Sequence, residues 1–110
     1  MEKFVITKQL TGEYQFNLKT GNEEILLTGD GFSSKSNCRH VIETVQQHAA
    51  EEDKYDLRTT TNGKYFFTLE AANGQTIAVS KMYETEASRN NGIVFVKTLA
   101  PKAIIYDSTF

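Results

Sequence analysis

Cys38 and His40 are the first pair in this chain whose side chains could do chemistry together, as a thiolate nucleophile with an imidazole base. That chemistry needs the two within hydrogen-bond reach. Two positions apart on a helix they point about 200° away from each other. Cys38 also falls on an apolar stripe with Val41, Ile42, Val45 and Ala49, so it reads as a structural core cysteine. His40 and His48 could be metal ligands. On a helix they lie about 80° apart around the axis and roughly 12 Å along it. One zinc ion, bound at about 2 Å from each ligand, cannot bridge that gap. They read as surface histidines, and neither a metal nor another cofactor is expected.

The run Gly29–Ser36 is a glycine-containing loop entering a helix, with Lys35 beside free amides. Such a loop can hold an anion. Its glycine, lysine and hydroxyl spacing is not that of a phosphate-binding P-loop, and a plain strand-to-helix turn is the simpler reading. The aromatic residues Tyr14, Phe16, Tyr65 and Phe67 could stack on bases. Their strict alternation with polar residues places them in a core instead. The opposite row is the candidate binding face: Gln15, Asn17 and Lys19 from one strand, Phe66 and Thr68 from another. Val94, Phe95 and Leu99 are apolar residues off the buried stripe of a second helix. They are the candidate contact for a second copy of the chain or for a protein partner.

Lys3–Lys8, Tyr14–Lys19 and Glu24–Thr28 read as strands, with turns at Leu10–Gly12 and Thr20–Asn22. Gly29-Asp30-Gly31 breaks the pattern, and Ser33 or Ser34 caps a helix that runs past Ala49. Tyr55–Arg58, Tyr65–Leu69 and Gln75–Ser80 are the next strands, the last two joined through Asn73-Gly74, a favoured hairpin turn. A helix opened by Glu84 or Thr85 runs to about Leu99 and is stopped by Pro101. Ala103–Tyr106 is a final strand, and Asp107–Phe110 is expected to fray.

The halves repeat. At an offset of 51 residues, Lys3, Gly12, Tyr14, Phe16, Leu18, Asn22, Ile42, Val45 and Ala49 meet Lys54, Gly63, Tyr65, Phe67, Leu69, Asn73, Ile93, Val96 and Ala100. The matches fall on strand faces, turns and the helix stripe, where packing would preserve them. Half a sheet with one helix covers its core poorly, and two halves together cover it well. The expected class is α+β in the order βββα-βββα-β, with both helices on the aromatic face and the other face open to water. Repeat one is 1–51 and repeat two 52–110, within a single domain 1–110.

At these residues the chain resembles the YegP-like family. The likeness is carried by the hairpin Gly63–Gly74 and by Asn91-Gly92-Ile93 with Val96, and it covers nearly the whole chain. It implies two β(3)-α-β units in one largely antiparallel sheet, with the C-terminal strands exchanged between them. The family has no assigned biochemical function, so the resemblance brings no catalytic residues. Two departures stand out: Arg39-His40-Val41 faces Asn90-Asn91-Gly92 across the repeat, and Glu43, Thr44 and His48 face Val94, Phe95 and Leu99.

The 110 residues carry 12 basic and 14 acidic side chains, a formal charge of −2. That balance weighs against a sequence-independent grip on nucleic acid. A lone cysteine suits a reducing compartment, and no apolar run approaches the roughly 20 residues a membrane span needs. A soluble cytoplasmic protein is expected. With no set of nucleophile, base and orienter, the expected function is a non-catalytic binding or protein-interaction module. A nucleic-acid or anion-binding protein using the open sheet face is the alternative, and an enzyme is not expected.

Overall fold

A computed structural model describes residues 1–109. The strands are β1 (Lys3–Lys8), β2 (Tyr14–Lys19), β3 (Ile25–Phe32), β4 (Tyr55–Thr59), β5 (Tyr65–Glu70), β6 (Thr76–Ser80) and β7 (Ile104–Asp107). Helices α1 (Lys35–His48) and α2 (Glu86–Leu99) follow β3 and β6. Single 3-10 turns, Glu52–Lys54 and Ala100–Lys102, lead into β4 and β7, and Pro101 sits in the second. The seven strands form one sheet in the order β4-β5-β6-β3-β2-β1-β7. All pairings are antiparallel except β1 with β7.

The helix starts show how closely the repeat is kept. The Ser34 hydroxyl accepts from the Asn37 amide at 3.0 Å, and 51 residues on Thr85 does the same for Ser88 at 3.0 Å. Each cap satisfies one amide that the first turn leaves without a helical partner. The helices lie on the face that carries Phe4, Phe16, Leu18, Leu27, Phe67 and Leu69. Cys38, Ile42, Val45 and Ala49 from α1, with Ile93, Val96 and Ala100 from α2, close that core. Phe4 meets Phe16 edge-on at 5.8 Å, and Phe67 stacks on Tyr83 at 6.5 Å.

β3 and β6 join the halves. Their pairing runs through Leu27↔Ser80 and Thr28↔Val79. Thr28 and Val79 are 51 positions apart, so this pair marks the pseudo-twofold axis. β4 pairs with β5 at the second half's outer edge, while β7 crosses back to lie beside β1, so among the described residues the crossing strand is β7 alone.

Three sequence expectations change. Gly29-Asp30-Gly31 does not end β3, which continues to Phe32. A Cβ on Gly29 would stand 2.4 Å from the Phe16 ring, so glycine lets the strand pass over the aromatic. Gly31, at φ 82°, takes up an irregularity in the pairing, which passes from Phe16↔Gly29 to Tyr14↔Phe32. The glycines serve a bulge inside a strand. The C-terminal run is also tied down: Asp107 is in β7, and the Ser108 amide and hydroxyl both donate to the Ile6 carbonyl, at 3.1 and 2.6 Å. Parallel pairing with β1 brings that acceptor alongside. Phe110, part of the same expectation, lies outside the described residues. Finally, the face away from the helices is not uniformly open. Val5, Asn17 and Thr68 are buried there, because short side chains on inner strands sit below their longer neighbours.

Candidate functional site

On the face away from the helices, register builds one row across the sheet: Tyr106, Val5, Asn17, Thr28, Val79, Thr68 and Asp56. Gln15 and Lys19 flank Asn17, and Phe66 flanks Thr68, on their own strands. The five candidate residues therefore share a face, but β3 and β6 separate them into two patches about 14 Å apart. Asn17, 9% exposed, accepts a hydrogen bond from the Thr28 hydroxyl at 2.8 Å. Thr68 is 5% exposed, and its hydroxyl has no partner among the described residues. Phe66 is partly covered and lies opposite Arg58. Lys19 and Lys3 both pair with Glu23, at 3.7 and 3.4 Å, so one carboxylate answers both charges.

The cysteine and histidines stay apart. Cys38 is fully buried, and that burial, helped by Asp107, pushes its thiol up to about 11. His48 Nδ1 meets Glu51 at 2.7 Å. Lys35, the cation of the Gly29–Ser36 loop, pairs with Asp107 at 3.0 Å. Hydrogen bonds from Thr109 and from Lys35 hold the Asp107 carboxyl down to about 2. Among the described residues no group of three or more His, Cys, Asp or Glu side chains could hold a metal.

The repeat relates two clefts to each other. The first, about 550 Å³, lies where β3 and β6 diverge beyond Thr28 and Val79. Phe32, Asn37, Val41, Gln75 and Ile77 line it. The second, about 350 Å³, lies on the other side of the axis, where Tyr83, Ser88, Gly92, Glu24 and Leu26 hold the equivalent positions. Each pair differs by 51 residues. The strands part because both ladders carry shifts, at Leu18/Lys19 and at Leu69/Glu70, and bulged strands bend and twist away from their neighbours.

The substitutions within this frame set each cleft's character. In the second, Gly92 replaces Val41, and a Cβ there would be 2.2 Å from the Tyr83 hydroxyl. Tyr83 takes that space, and its hydroxyl finds no partner among the described residues. Burial, then Glu24, raises its pKa. Phe95 and Leu99 complete the wall one and two turns along α2. Of the three candidate interface residues, Phe95 and Leu99 are thus brought together. Leu99 is partly packed on the core, and Phe95 is 56% exposed. Val94, 58% exposed, is outside the cleft wall.

Arg89 is a feature that the residue pattern did not bring out. It is 4% exposed, its guanidinium lies 5.5 Å from the Tyr65 ring centre, and it donates to the Arg58 carbonyl. The repeat offset carried the signal: Arg89 occupies the position of Cys38, on the buried stripe.

The model of a family described as a domain of unknown function, DUF1508, matches the chain twice, over residues 11–56 and 61–107. A UPF0339 protein of Bordetella pertussis is 39% identical over 109 residues, covering 99% of this chain and 98% of the relative. The YegP protein of Escherichia coli K12 is 37% identical over 106 residues, 96% of each chain. The solution structure of E. coli YegP, a protein of unknown function, superposes with a TM-score of 0.92 at 36% identity, covering 98% of this chain and 93% of that one. A UPF0339 protein of Shewanella oneidensis gives the same TM-score at 35% identity, covering 98% of this chain and 92% of that one.

Proposed function

The chain belongs to the DUF1508 family, as a tandem pair of its domains, and from that premise we propose that it is a non-catalytic protein-interaction module. The cleft beside α2 holds an apolar side chain of the partner. One observation carries this reading: Phe95, more than half exposed, stands on the rim of a cleft walled by Leu26, Tyr83 and Leu99. An apolar side chain inserted there removes its own surface and that of Phe95 from water, at about 25 cal/mol per Å². Val94 extends the apolar surface on the same helix.

The non-catalytic part rests on the separation of Cys38 from the histidines and on the use of Lys35 and Asp107 to answer each other. The sharing of Glu23 between Lys3 and Lys19 weighs against a phosphate-binding stripe on the sheet face. No helix among the described residues is long and apolar enough to cross a membrane. The proposed setting is the cytoplasm, where a lone buried thiol needs no disulfide partner.

Sedimentation and affinity capture from native lysate, with wild type and the pair Val94→Glu and Phe95→Ser, test the reading. A partner or dimer held by wild type and released by the double variant is expected. If the two proteins sediment as the same monomer and capture the same proteins, the interface is not on α2.

A further inference from the structure

The outer strands of the two halves are finished differently. β1 is covered by β7. Its equivalent, β4, ends the sheet, and among the described residues no strand lies beyond it. Ile6 is fully buried, whereas Leu57, 51 residues on, is 54% exposed although it shares the helix side with its neighbour Phe67. The main chain shows the same difference. The Thr60 amide donates to the Lys64 carbonyl at 2.8 Å, in register with the β4–β5 pairing. Main-chain groups alternate in direction along such a strand. Those of Asp56 and Arg58 therefore point toward β5, and those of Tyr55, Leu57 and Thr59 point out of the sheet. The Tyr55 amide is already used, on the Glu52 carbonyl. The Leu57 carbonyl corresponds to that of Ile6, which accepts from Ser108 just after β7. A bare edge is a template for one more strand, and β7 shows that this architecture accommodates one there.

Charge selects the strand. Asp56 and Arg58 stand on the open face on either side of Leu57, each nearly half exposed, and pair with each other at 2.8 Å. Charged side chains ordinarily guard an edge. Here their opposite signs are symmetric about Leu57. A second copy running antiparallel, with Leu57 beside Leu57, sets each Asp56 opposite the other copy's Arg58. A parallel copy in the same register would set like charges opposite each other, which is unfavourable.

From these observations we propose that the β4 edge binds a second copy of this chain, β4 to β4 and antiparallel about Leu57. Leu57 of each copy exchanges both main-chain hydrogen bonds with Leu57 of the other. The Tyr55 carbonyl accepts from the second copy's Thr59 amide. The two Leu57 side chains meet on the helix side, and the Asp56 and Arg58 side chains cross-pair on the open face. The contact uses the same edge of both copies, so it closes as a dimer and does not propagate through β4. This edge is separate from the apolar cleft beside α2, and neither reading depends on the other.

Sedimentation of the whole chain over a concentration series, with amide-resolved NMR, tests it. β4 has five residues, far fewer than the roughly 20–30 a side of a stable interface, so a Kd between about 10 μM and about 1 mM is expected. Rising concentration should shift the amides of Leu57, Arg58 and Thr59 and slow hydrogen exchange at Leu57 and Thr59. Asp56→Arg alone and Arg58→Asp alone should each weaken self-association at least about tenfold, because like charges then face each other. Mixed, these two proteins should pair at least as tightly as wild type, a result that the ion pair within one chain cannot produce. Val94→Glu with Phe95→Ser should leave this dimer unchanged. A single monomeric mass up to ~2 mM overturns the dimer. Self-association with shifts confined to Phe95 and Leu99, or to Ile104–Asp107, places the contact elsewhere and overturns this one. No recovery on mixing overturns the antiparallel register.

Discussion

At the scale of single residues, Cys38 shows what spacing alone can decide. Its position on a 3–4 spaced apolar stripe predicts burial, and the thiol is fully buried. Its pKa, about 11 against an ordinary 9.0, makes stability depend on pH in a definite direction. A thiol held above its unfolded value contributes fully below pH 9.0, where both states are protonated. The contribution falls as pH rises from there towards 11, since only the unfolded chain ionises. Urea midpoints measured from pH 8 to pH 11 should therefore drop more steeply for wild type than for Cys38→Ala, which is about 1 kcal/mol less stable at pH 8 from the lost packing, so the gap narrows as pH rises. Parallel slopes would mean that the thiol ionises freely in the folded chain. Arg89 was less legible because a charged residue on a buried stripe looks like an error in the period. Its compensation is an aromatic ring and a backbone carbonyl from distant strands, with the Glu86 carboxylate 3.8 Å away one helical turn back.

At the scale of elements, the strands, helices and caps were readable because alternation, the 3.6-residue period and Ser or Thr caps are local signals. The clefts were not, because they arise where two bulged strands part, and a bulge is set by the partner strand as much as by the chain itself. Gly29 illustrates this: its reason is the Phe16 ring on the neighbouring strand. The grouping of Phe95 with Leu99, and the exclusion of Val94 from the cleft wall, likewise depend on how α2 sits against the β2–β3 turn. Gly92 and Tyr83 make the most direct test at this scale. Gly92→Ala places a methyl group against the Tyr83 hydroxyl and should cost about 1–3 kcal/mol, as overpacking does. Tyr83→Phe removes a buried hydroxyl that has no partner and should be neutral or slightly stabilising. In the double variant, part of the Gly92→Ala cost should return. A thermal-unfolding double-mutant cycle reads the coupling, and strict additivity would show that the two side chains do not meet.

At the scale of the whole molecule, duplication predicted one shared sheet, but not how the halves are held together. The central ladder contributes only Leu27↔Ser80 and Thr28↔Val79. Stronger ties lie elsewhere. β7, from the second half, pairs with β1 over four residues and brings Ile105 against the core. The Gln46 amide of α1 donates to the Ala100 and Ala103 carbonyls, at 3.1 and 3.0 Å, and so holds the chain where it turns from α2 into β7. Cooperativity between the halves should therefore depend on the returning strand more than on the axis of the sheet. A chain ending at Lys102 loses that strand and leaves the β1 edge bare. Its first half should lose amide protection at lower urea than its second half, whereas the full chain unfolds in one step. Residue-resolved hydrogen exchange separates these outcomes. If the shortened chain still opens as one unit with an unchanged midpoint, the short β3–β6 ladder and the helix contacts must carry the coupling.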